Sequence, residues 1–139
     1  MPLRTQLVSP ERVLHEGDAD MVVCRAADGE IAFLPGHVPF VGSLGIAKVR
    51  LLLPGEGEVV AAVHGGFVEV SHDRVTVLSD VAELADQVDV VRARSARDAA
   101  EVRLREDPED GEAKAALARA ELRLEVTGAG SASPGSAGH

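Results

Sequence analysis

Five stretches of this 139-residue chain hold residue types that do chemistry in other settings. His37 follows Pro35-Gly36 in "GEIAFLPGHVPF". An imidazole can relay a proton, yet relay catalysis needs a nucleophile or a paired carboxylate, and the neighbouring sequence supplies neither. His37 therefore reads as a buried or interface histidine. His64-Gly65-Gly66 has the composition of a glycine-rich oxyanion loop, but the chain lacks a G-x-S-x-G nucleophile, so the stretch reads as a tight turn. His15, Glu16, Asp18 and Asp20 offer metal-ligand atoms over a Gly17-Asp18 turn, without EF-hand spacing, and read as solvating residues. The single cysteine, Cys24, lies in the apolar run Met21-Val22-Val23, which excludes an intrachain disulfide and marks a small core residue in a reducing compartment. Arg92, Arg94, Arg97, Arg103 and Arg105 form a solvated helical face or, failing that, an anion site. No residue is assigned a catalytic role and none a metal.

Charge removes further classes. The formal net charge is −9, with Lys48 and Lys114 the only lysines. Residues 1–86 carry six Arg/Lys against thirteen Asp/Glu, and residues 87–139 carry eight against ten. No basic surface is available to neutralise a phosphate backbone, so nucleic acid is not expected as a partner. No stretch approaches the roughly 20 apolar residues that span a bilayer, and the first residues lack a charged segment followed by an apolar one. Any work at a membrane would go through a partner.

The elements that must carry these residues change character near residue 86. Before it, short β-branched runs recur at roughly 8 to 12 residue spacing. They are Thr5 to Val8, Arg12 to His15, Asp20 to Arg25, Glu30 to Leu34, Ile46 to Leu53, Glu58 to Val63, Phe67 to Ser71 and Arg74 to Leu78. Ser9-Pro10, Gly17-Asp18, Asp28-Gly29, Pro35-Gly36, Pro54-Gly55, Gly65-Gly66 and His72-Asp73 separate them as turns. Alternation sets Val75 and Val77 against Thr76 and Leu78, and Val68 and Val70 against Phe67, Glu69 and Ser71. Residues 1–85 are expected to form a β-sandwich.

After Asp86, a potential N-cap, Val88, Val91, Ser95, Ala99 and Val102 advance at helical steps. Asp107 with Pro108 can start a second helix, whose stripe is Ala113, Ala116, Leu117, Ala120 and Leu124. Residues 86–126 are therefore expected to form an antiparallel α-helical hairpin with a small-residue contact face. Residues 127–139, rich in Gly, Ser and Ala, have the composition of a disordered tail. The fold class is an all-β sandwich followed by a helical hairpin.

Three linked stretches carry a family resemblance. "GEIAFLPGHVPFVGSL" is similar to GELGILPGHxPLL, "HGGFVEVSHDRVTVLSD" to SGGFLEVxxxxVTVLAD, and "VDVVRARSARDAAEVRL" to (I/L)DxxRAxxAxxxAExxL. In order and spacing, from about Val8 to Val126, the chain resembles the epsilon subunit of the F-type proton-translocating ATP synthase. It departs at Ala32 in place of Gly, His64 in place of Ser, and Val88 in place of Ile or Leu.

The resemblance implies a non-catalytic rotor subunit of the central stalk. It implies a sandwich bound to the gamma subunit and resting on the ring of membrane c subunits, with Glu30, Phe33, Pro35, Gly36, His37 and Phe40 at that interface. It also implies coupling of proton-driven ring rotation to ATP synthesis on other subunits. The hairpin would restrain ATP hydrolysis when it extends towards the alpha and beta subunits. The setting would be peripheral, on the cytoplasmic face of a bacterial cell membrane. Some members bind ATP between hairpin and sandwich, and the matching positions are Glu83, Val88, Asp89, Arg92, Ala93, Arg119 and Arg123. Ala99 replaces one arginine of that phosphate cradle, so weak regulatory ATP binding, or no cofactor, is expected. The alternatives are a stand-alone β-sandwich protein-binding module without catalytic activity and a small hydrolase, against which the missing nucleophile motif argues.

Overall fold

The computed structural model describes residues 2–128. The boundary between two compact units falls between Leu84 and Ala85.

The first unit is a β-sandwich folded from one continuous sheet. Its strands are β1 (Leu3–Val8), β2 (Val13–Ala19), β3 (Met21–Ala26), β4 (Gly29–Phe33), β5 (Phe40–Leu52), β6 (Glu58–Ser71), β7 (Arg74–Leu78) and β8 (Ala82–Leu84). The order across the sheet is β2-β1-β7-β6-β5-β3-β4, with β8 also on β6. All pairs are antiparallel except β1 with β7. β5 and β6 pair along nearly their whole length, Phe40 opposite Val70 and Leu52 opposite Glu58. The far edge of β6 takes β8 at Ala61 to Val63 and β7 at Phe67 to Ser71. These two long strands thus run through both layers, as strands that turn a sandwich corner do.

Side-chain direction shows where the sheet turns. On a strand, residues two apart share a face. In β6 the core side chains are Ala61 and Val63, then Val68 and Val70; in β5 they are Phe40 and Leu44, then Val49 and Leu51. The inward set changes parity in both strands, at Gly45 and at Gly65-Gly66. Gly65 and Gly66 have φ of +93° and +147°, a region closed to most L side chains. A Cβ on Gly66 would lie 2.1 Å from the Leu78 carbonyl oxygen. Buried Ser79 secures the bend by donating from Oγ to the Gly65 carbonyl at 2.5 Å, while its amide donates to Val8 at 3.0 Å.

One core fills the space between the layers: Leu3, Leu7, Val75, Val77, Val68 and Val70 from one side, and Val22, Cys24, Phe33, Val49, Leu51, Ala61 and Val63 from the other. The alternation expected for β6 and β7 holds, since Val68, Val70, Val75 and Val77 are buried while Phe67 and Leu78 face outwards. Cys24 is buried as expected, and desolvation pushes its thiol up to about 12.

Several local expectations are corrected. Gly65-Gly66 is a bend inside one strand and not a turn between two, because the β5 partner continues past it. Gly17-Asp18 lies within β2, held by the Leu3–Val8 ladder, where Thr5 Oγ1 donates to the Gly17 carbonyl at 2.7 Å. β5 begins at Phe40, six residues before Ile46, and β8 was absent from the expected strands, being only three residues long.

The second unit opens with a 3-10 turn, Ala85–Gln87, followed by α1 (Val90–Glu106) and α2 (Gly111–Thr127). The helices pack on each other across a four-residue connection, residues 107–110, which makes them antiparallel. The caps differ from expectation: Asp89 and not Asp86 caps α1, accepting from the Arg92 amide at 3.0 Å. Asp110 and not Asp107 caps α2, accepting from the Ala113 amide at 3.0 Å. Asp107 instead ends α1, and Pro108 sits in the turn. The α1 face is corrected as well. Ala93 and Ala100 are buried, whereas Val91 and Val102 are 73% and 44% exposed. The two candidate stripes differ by about half a turn, and small side chains on both leave the period ambiguous. On α2, Ala113, Ala120 and Leu124 are buried as expected, and Leu122 and Val126 are buried besides. Thr127, assigned to the tail from sequence, ends α2, and Gly128 caps it at φ +84°. Residues 129–139, the rest of the expected tail, lie outside the described residues.

Two outcomes follow. Gly66→Ala should cost roughly 3 kcal/mol or more, since the new methyl meets backbone at a strained φ; an unchanged urea midpoint would refute the bend. At the hairpin turn, the Ala113 amide and then Arg103, 3.1 Å from the Asp110 carboxylate, hold that group below the usual carboxylate range. A lowered folded pKa means that its stabilisation is complete above the unfolded value, about 3.9, and is lost as pH falls through the folded value. Asp110→Asn should therefore lower the thermal midpoint at neutral pH, with the gap closing on acidification below roughly pH 4. A gap independent of pH would contradict this.

Candidate functional site

The turn between β4 and β5 is the best-built surface feature of the sandwich. Leu34-Pro35-Gly36-His37 is closed by the His37 amide donating to the Leu34 carbonyl at 3.1 Å. Pro35 presets the second position and Gly36, at φ +85°, takes the third, which is a type II turn. The Gly36 amide donates to Asp73 Oδ1 at 2.7 Å.

The ring cluster beneath it is ordered from the core outwards. Phe33 is fully buried, His37 meets it edge-on at 5.0 Å between centroids, and Phe40 lies 5.4 Å away. The Phe40 ring covers Gly42, where a Cβ would come within 2.8 Å of it, so only glycine leaves room for the ring. His37 Nδ1 lies 2.7 Å from the Val38 carbonyl. Around these rings Leu34 and Val38 are 50% and 69% exposed, and Pro35 and Gly36 are exposed. Glu30 is exposed on β4, opposite Arg25. Of the six residues assigned to this surface, Phe33 supports the His37 and Phe40 rings from the core, and the other five reach solvent at least in part.

A second surface lies on the outer face of the same sandwich. Ser43, Phe67, Leu78, Val8 and Val13 are successive cross-strand partners across β5, β6, β7, β1 and β2. Phe67, Leu78 and Val13 are each about half exposed. This row was not assigned from the sequence. Its signal was present: once Val68 and Val70 point inwards, Phe67 must point out, and an outward phenylalanine is unusual in a chain holding three.

The positions matched to a nucleotide site fall on separate elements. Glu83 is on β8 of the sandwich, with its Oε1 3.3 Å from His64 Nε2. Val88 and Asp89 precede α1, Arg92 is exposed in its first turn, and Ala93 is buried. The Asp89 carboxylate serves as the helix cap. Arg119 and Arg123 stand one turn apart on α2, and Arg119 bonds Glu112 at 3.1 Å. Ala99 is exposed on α1.

The other candidate chemistry is occupied structurally. His64-Gly65-Gly66 lies inside β6, where the His64 amide donates to the Val81 carbonyl at 2.9 Å. Glu16 accepts from Gln6 and from Arg4, which together lower its pKa, and Asp18 pairs with Arg4 at 3.6 Å. Among the described residues no three His, Cys, Asp or Glu side chains converge as metal ligands.

A closed turn, an exposed apolar row and a helical hairpin are features suited to contact with other chains. Residues 2–85 match the beta-sandwich domain of the ATP synthase delta/epsilon chain. The ATP synthase epsilon chain of Thermobifida fusca is 47% identical over 125 residues, 88% of this chain and 89% of its own. That of Halalkalibacterium halodurans is 42% identical over 130 residues, 91% of this chain and 97% of its own. A chain in the Euglena gracilis mitochondrial ATP synthase OSCP/F1/c-ring structure shares the fold, with TM-score 0.69 and 18% identity over 92% of this chain and 78% of that one. This chain belongs to the ATP synthase epsilon-chain family, and is thus a non-catalytic subunit of an enzyme complex.

The ring cluster predicts a split in stability. Phe33→Ala should cost about 3–5 kcal/mol, as core phenylalanines do, and His37→Ala no more than about 1 kcal/mol. Equal losses in denaturant unfolding would contradict the layered arrangement.

Proposed function

We propose that this chain is the rotor subunit that joins the membrane ring of c subunits to the gamma subunit of an F-type ATP synthase. In this role it couples proton-driven rotation to ATP synthesis at catalytic sites on alpha and beta subunits. The observation that carries the reading is the outer apolar row Phe67, Leu78, Val8 and Val13. A stripe across four adjacent strands suits an elongated partner, and interface cores are enriched in aromatic residues such as Phe67. Gamma is the partner we assign to it. The ring is the partner we assign to the Leu34–Phe40 segment, where a rigid turn displays Leu34, Pro35 and Val38. No helix of the described residues is long and apolar enough to cross a membrane, and we assign attachment to the membrane to the complex. We place the chain on the cytoplasmic face of a bacterial cell membrane.

The hairpin is the regulatory part of this reading. Its contacts on α1 come from Ala93 and Ala100, and an alanine removes little area from water at about 25 cal/mol per Å². A helix–helix seam so light can be rearranged by partners that offer a few kcal/mol. Extended, it would reach alpha and beta and restrain ATP hydrolysis.

Rebuilding the synthase with the full chain and with a chain truncated after Asp86 tests both parts. Both chains should enter the complex, and the truncated one should raise ATP hydrolysis. A full chain that does not assemble with gamma and the ring would refute the rotor assignment, and unchanged hydrolysis would refute the inhibitory role.

ATP is assigned at most a weak regulatory role. With Ala99 in place of one arginine, the Arg92, Arg119 and Arg123 set should bind MgATP with a Kd of about 1 mM, −4.1 kcal/mol, or more weakly. Micromolar binding in calorimetry, abolished by Arg92→Ala, would overturn that assignment.

A further inference from the structure

The β6–β7 connection is a two-residue hairpin, with Ser71 paired to Arg74 across it. Both connecting residues, His72 and Asp73, lie at positive φ, +52° and +57°. Such turns favour Asn-Gly or Asp-Gly. A non-glycine residue pair held in this conformation calls for a compensating interaction.

Asp73 provides one on each side. Its carbonyl accepts from the Arg4 amide at 2.8 Å, which ties the start of β1 to the hairpin. Its carboxylate accepts from the Gly36 amide at 2.7 Å, thirty-seven residues away in sequence. The second bond acts on a sensitive place. In a type II turn the closing bond uses the first carbonyl and the last amide, here Leu34 and His37. The amide at the third position, Gly36, belongs to the central peptide and is left over. That peptide decides the turn type, since rotating it through about half a turn converts type II to type I. A carboxylate on the Gly36 amide therefore fixes which way the Pro35–Gly36 peptide faces.

We propose that Asp73 is a positioning residue for the partner-facing turn: it locks the Pro35–Gly36 peptide in its type II orientation and so presents Pro35, His37 and Val38 in one arrangement. The proposal rests on the reading of this turn as the ring-facing surface. It also assigns a role to the strained His72-Asp73 connection, which the fold alone does not require to be Asp.

Two substitutions separate the carboxylate from the backbone. Asp73→Gly removes the acceptor while accepting positive φ freely, and Asp73→Asn keeps an Oδ1 acceptor in a residue that also tolerates this region. In the full chain, amide exchange at Gly36 should rise roughly tenfold or more in Asp73→Gly, with exchange across β6 and β7 unaltered, and should return towards the parent rate in Asp73→Asn. In the assembled synthase, ATP-driven proton pumping per ATP hydrolysed should fall in Asp73→Gly and recover in Asp73→Asn. An unchanged Gly36 rate in Asp73→Gly overturns the proposal. A faster Gly36 rate with unaltered coupling shows that the peptide is held but that the turn's arrangement does not matter to the partner, which overturns the ring-facing reading on which the proposal rests.

Discussion

The inward face of β5 and β6 reverses at Gly45 and at Gly65-Gly66, and the rest of the sandwich depends on that reversal. Without it the even-numbered set of β6 would face one way throughout, and Ala61 and Val63 would leave the core that Val68 and Val70 enter. With it, one sheet supplies both layers and a single core. The backbone reaches this geometry at glycines because Gly66 abuts the Leu78 carbonyl, and Ser79 reinforces it with its hydroxyl. Phe33 is buried in the layer that the bend folds over. His37 and Phe40 rest on Phe33, so the surface turn inherits its position from the interior.

The hairpin follows a different rule. Its helices are defined at their ends by Asp89 and Asp110, whose carboxylates satisfy amides that the helices leave open. Its middle is held by alanines and a few aliphatic side chains. Strong ends and a light seam suit helices that stay formed while their packing on each other changes. The sandwich has the opposite character, a continuous ladder with large apolar side chains between layers.

Much of this was legible in the sequence, for reasons that differ by element. Val75, Val77, Val68 and Val70 alternate cleanly, and a strand that buries one face must alternate, so these were placed correctly. Gly65-Gly66 was misread because two glycines in succession signal a turn unless a partner strand runs past them, and pairing is not local information. The α1 face was misread because Ala and Val occupy two stripes, and only packing against α2 decides between them. The caps were shifted by three residues in each case, since several aspartates near each start satisfy the same rule. The Leu34–His37 turn was visible from Pro-Gly, but the Asp73 contact that fixes it spans distant segments and leaves no local signature. The outer row of Phe67, Leu78, Val8 and Val13 was readable residue by residue and became a surface only once the register aligned them.

Crosslinking in the assembled synthase probes directly whether the two proposed surfaces, the Leu34–Phe40 turn and the outer row of Phe67, Leu78, Val8 and Val13, meet other subunits. Cys24 is buried and its thiol is pushed up to about 12, so an added surface cysteine is the reactive thiol of this chain. A cysteine at Val38 should capture the ring subunit, and one at Phe67 should capture gamma. Capture of neither partner from either position in a fully assembled complex would overturn both surface assignments.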